Sequence, residues 1–171
     1  MKRPFLIPAA ISSLRIAALP LFLFLFSSSN IAACLALIVF CSATDFFDGY
    51  FARKLSATSK FGAYYDAATD FVLMFGAFAI FTLNGYYPFW LLVLIAASFF
   101  QFLLTSRMTK KFYDPVGRYI GSALYIGIAL TLLLPTQPVF IFVQFAFAGF
   151  FVVSLLSRII NIIKNCRSSL N

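Results

Sequence analysis

Residues 31–51 read IAACLALIVFCSATDFFDGYF, and residues 61–83 read FGAYYDAATDFVLMFGAFAIFTL. Each stretch is apolar over the length needed to cross a bilayer, about 20 residues of helix. Each nevertheless carries two aspartates: Asp45 and Asp48 in the first, Asp66 and Asp70 in the second. Asp45 and Asp48 are three residues apart, and Asp66 and Asp70 four apart, so each pair shares one face of a helix. The linker around Ser56–Lys60 is short and polar, which predicts an antiparallel helical hairpin with its centre near Ala57. In such a hairpin Asp45 lies level with Asp70, and Asp48 with Asp66. At a rise of 1.5 Å per residue, the four carboxylates sit roughly 13–19 Å along the helices from that centre.

The rest of the chain repeats the apolar theme. Of 171 residues, 63% are hydrophobic and only 11% are charged, 13 of them basic and five acidic. A soluble domain carries about 25% charged residues, so this composition excludes a soluble globule. It equally excludes a disordered chain. Six apolar runs can be marked: Ile7–Phe26, Ile31–Phe51, Phe61–Leu83, Phe89–Thr105, Val116–Leu134 and Val139–Ile163. Polar or Pro-rich breakers separate them. Asn30 is placed to cap the second helix, and Asp114–Pro115 to start the fifth. The prediction is an all-α, polytopic membrane protein of six transmembrane helices. It forms a single domain over residues 1–171, since too little chain remains for another.

Charge distribution orients the bundle. The loops at 27–30, 84–88 and 135–138 hold no charged residue. Lys2, Arg3, Arg53, Lys54, Lys60, Arg107, Lys110, Lys111, Arg118, Lys164 and Arg167 lie at the opposite ends of the spans. Positive charge marks cytoplasmic loops, so both termini are expected in the cytoplasm. The net charge of +8 is then matched to anionic headgroups and not to nucleic acid. The first run follows Lys2-Arg3, as in a signal peptide. It is too long and is interrupted by Arg15, so it reads as a retained helix.

Missing side chains exclude chemistry. With no histidine there is no Ser-His-Asp or Cys-His catalysis and no His-ligated metal. Cys34, Cys41 and Cys166 lack a CxxC spacing, and the first two read as small core fillers. The four intramembrane carboxylates remain. Each costs at least roughly 2.5–3.5 kcal/mol when ionised in the membrane, so a cation must offset them. Carboxylate-only clusters suit hard ions such as Mg²⁺ or Mn²⁺. Four carboxylates can hold two such ions, an arrangement suited to displacement at phosphorus. A charge-paired network with Arg53 or Arg15 is the structural alternative. Gly49, Ala52 and Gly62 flank the acids and leave room for a ligand or for close helix packing.

The pattern Asp45-x-x-Asp48-Gly49-x-x-Ala52-Arg53, eight residues, Gly62, three residues, Asp66, three residues, Asp70 resembles the signature of the CDP-alcohol phosphatidyltransferase family. All eight fixed positions match with the expected spacing. The resemblance implies two divalent metal ions, Mg²⁺ or Mn²⁺, held by Asp45, Asp48, Asp66 and Asp70. It implies a CDP-linked substrate beside Gly49, Ala52, Arg53 and Gly62, and Asp70 as the base. The stretch Pro8 to Arg15 is similar to the first-helix pattern of phosphatidylglycerophosphate synthases, with Ala9 in place of the usual Asn. A Phe-Gly-Leu-Pro-like stretch expected of phosphatidylserine synthases is missing.

The expected reaction moves a phosphatidyl or archaetidyl group from a CDP-lipid to an acceptor hydroxyl and releases CMP, on the cytoplasmic side of the cell membrane. Arg15, Arg107, Lys110, Lys111 and Arg118 are candidates to bind a phosphate on the acceptor, favouring glycerol 3-phosphate or inositol phosphate over serine or another free alcohol. Headgroup anchoring is the competing role for this cluster. Gly117-x-x-x-Gly121 and the sixth helix are candidate packing or homodimer surfaces. A divalent-cation transporter is the reading from another class. It is disfavoured because the outer halves of the spans carry no Asp, Lys or Arg, so no through-path is visible.

Overall fold

Two residues in the left-handed region end the first and third helices. The computed structural model describes residues 6–54, 60–108 and 117–168, with side chains described for residues 14–44, 64–104, 120–157 and 159. Helix α1 (Leu6–Ser27) stops where Ser29 turns to φ 55°. The Ser29 amide donates to the Phe26 carbonyl at 2.9 Å and the Asn30 amide to the Leu25 carbonyl at 3.0 Å. This is a Schellman closure, which satisfies carbonyls that the helix end leaves open. Asn30 then accepts the Ala33 amide on Oδ1 at 3.2 Å, capping α2 (Ile31–Lys54) as expected. Helix α3 (Lys60–Leu83) ends in the same way. Gly85 takes φ 77°, and the Gly85 and Tyr86 amides donate to the carbonyls of Thr82 and Phe81.

Helices α4 (Phe89–Met108), α5 (Gly117–Leu133) and α6 (Gln137–Ser168) complete the chain. The six helices follow the six apolar runs, and no strand occurs among the described residues. The expected sixth run began at Val139, but α6 starts two residues earlier. Pro138 sits in its first turn, where a missing N–H costs nothing. The Thr136 carbonyl accepts the amides of Val139 and Phe140.

Packing among the described residues places α1 between α2 and α3. Helix α1 packs against both, whereas α2 and α3 are not a closely packed pair there. Helix α5 packs against α2, α3 and α6, and α4 against α3 and α6. Thus α1, α2, α5 and α3 form a ring, with α4 and α6 on one side. Gly76 brings α1 close to α3: a Cβ there would collide with a Leu19 methyl.

The core stripe of α3 runs through Leu73, Ala77, Phe78 and Phe81, all fully buried. Towards the α3 C-terminus it enters an aromatic cluster. Phe81 contacts Phe22, Phe26, Phe78, Tyr86 and Tyr87, and Tyr86 stacks on Phe140 at 5.0 Å. Within it, the Thr131 hydroxyl donates to the Gly127 carbonyl at 2.7 Å. Its only proton is thereby used, so the Tyr87 hydroxyl, 2.6 Å away, is the donor to Thr131. Cys34 and Cys41 are free and buried, as expected of core fillers.

The outside is apolar. Phe24, Leu83, Phe89, Phe100, Phe142 and Phe145 are each at least 65% exposed. Tyr64–Leu83 and Gln137–Ser157 are long and apolar enough to cross a membrane, and only 33% and 22% of their most apolar stretches are buried. The buried core helix of a soluble protein would show the opposite balance.

Candidate active site

The core stripes of α1 and α3 turn polar at the same end. On α1 the buried positions Phe22, Ala18 and Arg15 step back by four and three residues. On α3 the stripe Phe81, Ala77, Leu73 continues by steps of three and four to Asp70 and Asp66. Both sets therefore lie on faces that pack together, and the ionic groups meet where the apolar residues end.

Arg15 is 1% exposed, and its Nη1 lies 2.7 Å from Oδ1 of Asp66 and 2.7 Å from Oδ1 of Asp70. The Asp66 contact is a hydrogen bond donated by the guanidinium. The carboxylates are more open, at 33% and 18% exposed. Helix α5 adds Tyr125, buried, whose hydroxyl donates to Asp70 Oδ1 at 3.3 Å. Helix α2 brings Cys41 within electrostatic reach of Arg15 and Asp70. The neighbouring Thr69 hydroxyl bonds back to the Asp66 carbonyl at 2.8 Å, which lets Thr69 be buried without an outside partner. Helices α1, α3 and α5 thus meet at the Asp66–Asp70 pair.

Two carboxylate oxygens converging on one cationic nitrogen form an all-oxygen donor pair with a preference for positive charge. That chemistry fits a hard divalent ion.

Arg15 was expected among the acceptor-phosphate residues; its guanidinium lies on the carboxylates, as in the charge-paired alternative. The side chains of Asp45, Asp48, Ala52, Arg53, Arg107, Lys110, Lys111 and Arg118 and the surroundings of Gly49, Gly62 and Gly117 lie outside what is described, as does the Asp114–Pro115 cap. Gly121 is described, and a Cβ there would meet open space. Tyr125 was missed by sequence reasoning. A signal existed: Tyr125 follows Arg118 by seven residues, which places both on one helical face.

A family model described as CDP-alcohol phosphatidyltransferase matches residues 5–163. The chain belongs to the CDP-alcohol phosphatidyltransferase family. Its relatives include the CDP-diacylglycerol–glycerol-3-phosphate 3-phosphatidyltransferase of Pectobacterium atrosepticum, 35% identical over 117 residues, covering 67% of this chain and 63% of the relative. The protein of the same name from Yersinia enterocolitica is 34% identical over 115 residues, 66% of this chain and 62% of the relative. A putative cardiolipin synthase of Mycobacterium bovis is 33% identical over 85 residues, covering 49% and 41%. The match therefore spans less than two thirds of the length of these relatives.

Proposed function

We propose that this protein transfers the phosphatidyl group of a CDP-lipid to glycerol 3-phosphate, releasing CMP. The observation that carries the reading is the convergence of Asp66 and Asp70 where α1, α3 and α5 meet, within a chain of this family. The names of the relatives supply the acceptor.

In this reading Asp45, Asp48, Asp66 and Asp70 hold two divalent ions, Mg²⁺ or Mn²⁺. Such ions, when bound, neutralise charge on the diphosphate and the leaving group, where phosphoryl transfer gains most. Gly49, Ala52 and Gly62 leave room for the CDP moiety, and Arg53 pairs with its diphosphate. Asp70 accepts the proton of the acceptor hydroxyl as the new O–P bond forms and the bond to CMP breaks. Tyr125 donates to Asp70 Oδ1 and so fixes the orientation of that carboxylate. Arg107, Lys110, Lys111 and Arg118 bind the acceptor phosphate, where Arg offers two parallel hydrogen bonds. Arg15 is free to join them only after leaving the carboxylates.

The same reading makes the chain one domain with six membrane spans, both termini and the site on the cytoplasmic side of the cell membrane. The large exposed apolar side chains support a lipid-facing surface. The test is CMP release from CDP-diacylglycerol by purified protein, with glycerol 3-phosphate, inositol phosphate and serine offered separately. Turnover with glycerol 3-phosphate, abolished by EDTA and restored by Mg²⁺ or Mn²⁺, is the expected result. Turnover with serine, and neither reaction with nor inhibition by glycerol 3-phosphate, overturns the assigned acceptor.

A further inference from the structure

We propose that Arg15 is a placeholder cation: its pairing with Asp66 and Asp70 and the binding of a divalent ion between them exclude each other. The inference rests on the reading of the two aspartates as metal ligands.

One nitrogen, Nη1, lies 2.7 Å from an oxygen of each carboxylate. It occupies the point on which the pair converges. A divalent ion held by the same two carboxylates would need that region and the same lone pairs. Two cations in contact there repel, most strongly where little water screens them. The accessibilities give the exchange a direction. Arg15 is buried, while the carboxylates retain exposed surface, so an arriving ion reaches the acids first.

Helix placement makes the exchange local. Asp66 and Asp70 share α3, one turn apart, whereas the guanidinium is carried by α1. Its departure leaves the spacing of the pair intact. Before metal arrives, the same guanidinium offsets repulsion between two carboxylates on one helix face and ties α1 to α3. The consequence is a metal affinity below what the acids alone would give. A purely structural ion pair behaves otherwise, because its loss destabilises the protein equally with and without metal.

The experiment measures Mn²⁺ binding and thermal unfolding of the full chain in lipid nanodiscs, for the parent, Arg15→Gln, Arg15→Lys and Asp66→Asn. Loss of a charge-assisted hydrogen bond changes an equilibrium by about tenfold or more. Arg15→Gln is accordingly expected to bind Mn²⁺ about tenfold more tightly than the parent. It should unfold at lower temperature in EDTA and recover most of the difference when Mn²⁺ is added. Asp66→Asn should lose most Mn²⁺ binding. Parent-like or weaker Mn²⁺ binding by Arg15→Gln, with Asp66→Asn impaired, overturns the placeholder role and leaves the metal reading standing. Parent-like binding by Asp66→Asn overturns the metal reading itself, and the placeholder with it. If Arg15→Gln does not fold even with Mn²⁺, Arg15→Lys decides, since it keeps a charge but loses the planar fork. It should bind Mn²⁺ several-fold more tightly than the parent, and equal or weaker binding refutes the proposal.

Discussion

Asp66 and Asp70 lie one helical turn apart and face the same guanidinium, yet their surroundings differ. Asp70 is the less exposed, and it accepts a hydrogen bond from the Tyr125 phenol. A deeper, oriented carboxylate suits proton transfer, which contributes about 10²–10⁴-fold in rate. Asp70→Asn should therefore lower kcat for CMP release by about that factor while circular dichroism stays helical. Turnover within tenfold of the parent would remove Asp70 from the base role. Tyr125→Phe deletes one hydrogen bond of 3.3 Å and should cost about tenfold or less, chiefly in kcat, measured by the same assay. The pairing of Asp66 with Asp70 was legible from a spacing of four, because helical period is a local property. The target of Arg15 was legible only as one of two alternatives, a charge partner of the acids or a ligand of the acceptor phosphate. It lies 51 residues away and depends on how α1 packs, which no local pattern encodes.

At the scale of helices, the ends carry the sequence signal. Asn84-Gly85 marked a break, and Gly85 supplies the left-handed C-terminal residue that a Schellman closure needs. Ser28-Ser29-Asn30 marked another, but there the left-handed position falls to Ser29, whose Cβ makes that conformation cost about 1–2 kcal/mol. Ser29→Gly should thus stabilise the protein by about 1 kcal/mol, read as a raised thermal midpoint. A lowered midpoint would mean that the serine side chain contributes more than its backbone strain. Gly127 is a different case. A Cβ there would meet Phe147 at 3.1 Å, Phe78 at 3.3 Å and Val143 at 3.4 Å. Phe78 is fully buried and held by its own ring contacts. Gly127→Ala should cost about 1–3 kcal/mol as overpacking, detectable in the same melt. Helix existence was readable from apolar run length, while the start of α6 was displaced by reading Pro138 as a breaker in a position where proline is tolerated.

For the whole molecule, the apolar exterior and the one-sided charges predict topology. Cysteine placed at Ser29 or Thr136, in a protein lacking native cysteines, should react with a membrane-impermeant reagent on intact cells, and cysteine at Ser56 should not. The reverse pattern would invert the orientation. The number of helices was legible, since the breakers between runs are strong. The order in which they pack was less so. The sequence reading joins α2 and α3 in a hairpin around residues that lie outside the described ones; among the described residues α1 packs against both, with Leu19 against Gly76 in its contact with α3.

That arrangement has a consequence for how the protein is made. Translation runs from the N-terminus, so α1 with Arg15 is made before Asp66 and Asp70 of α3. Arg15, ten residues into the 22-residue α1, then carries its charge without those partners, a cost that its long flexible stem reduces by reaching towards water. The acids of α3 then arrive at a partner already in place, and the three groups can sink together as a combined unit of reduced charge. Moving the first helix to the C-terminus by circular permutation would reverse that order and leave the carboxylates to insert alone. The penalty would appear in biogenesis, as lower yield in the membrane fraction, even where the finished protein makes the same contacts.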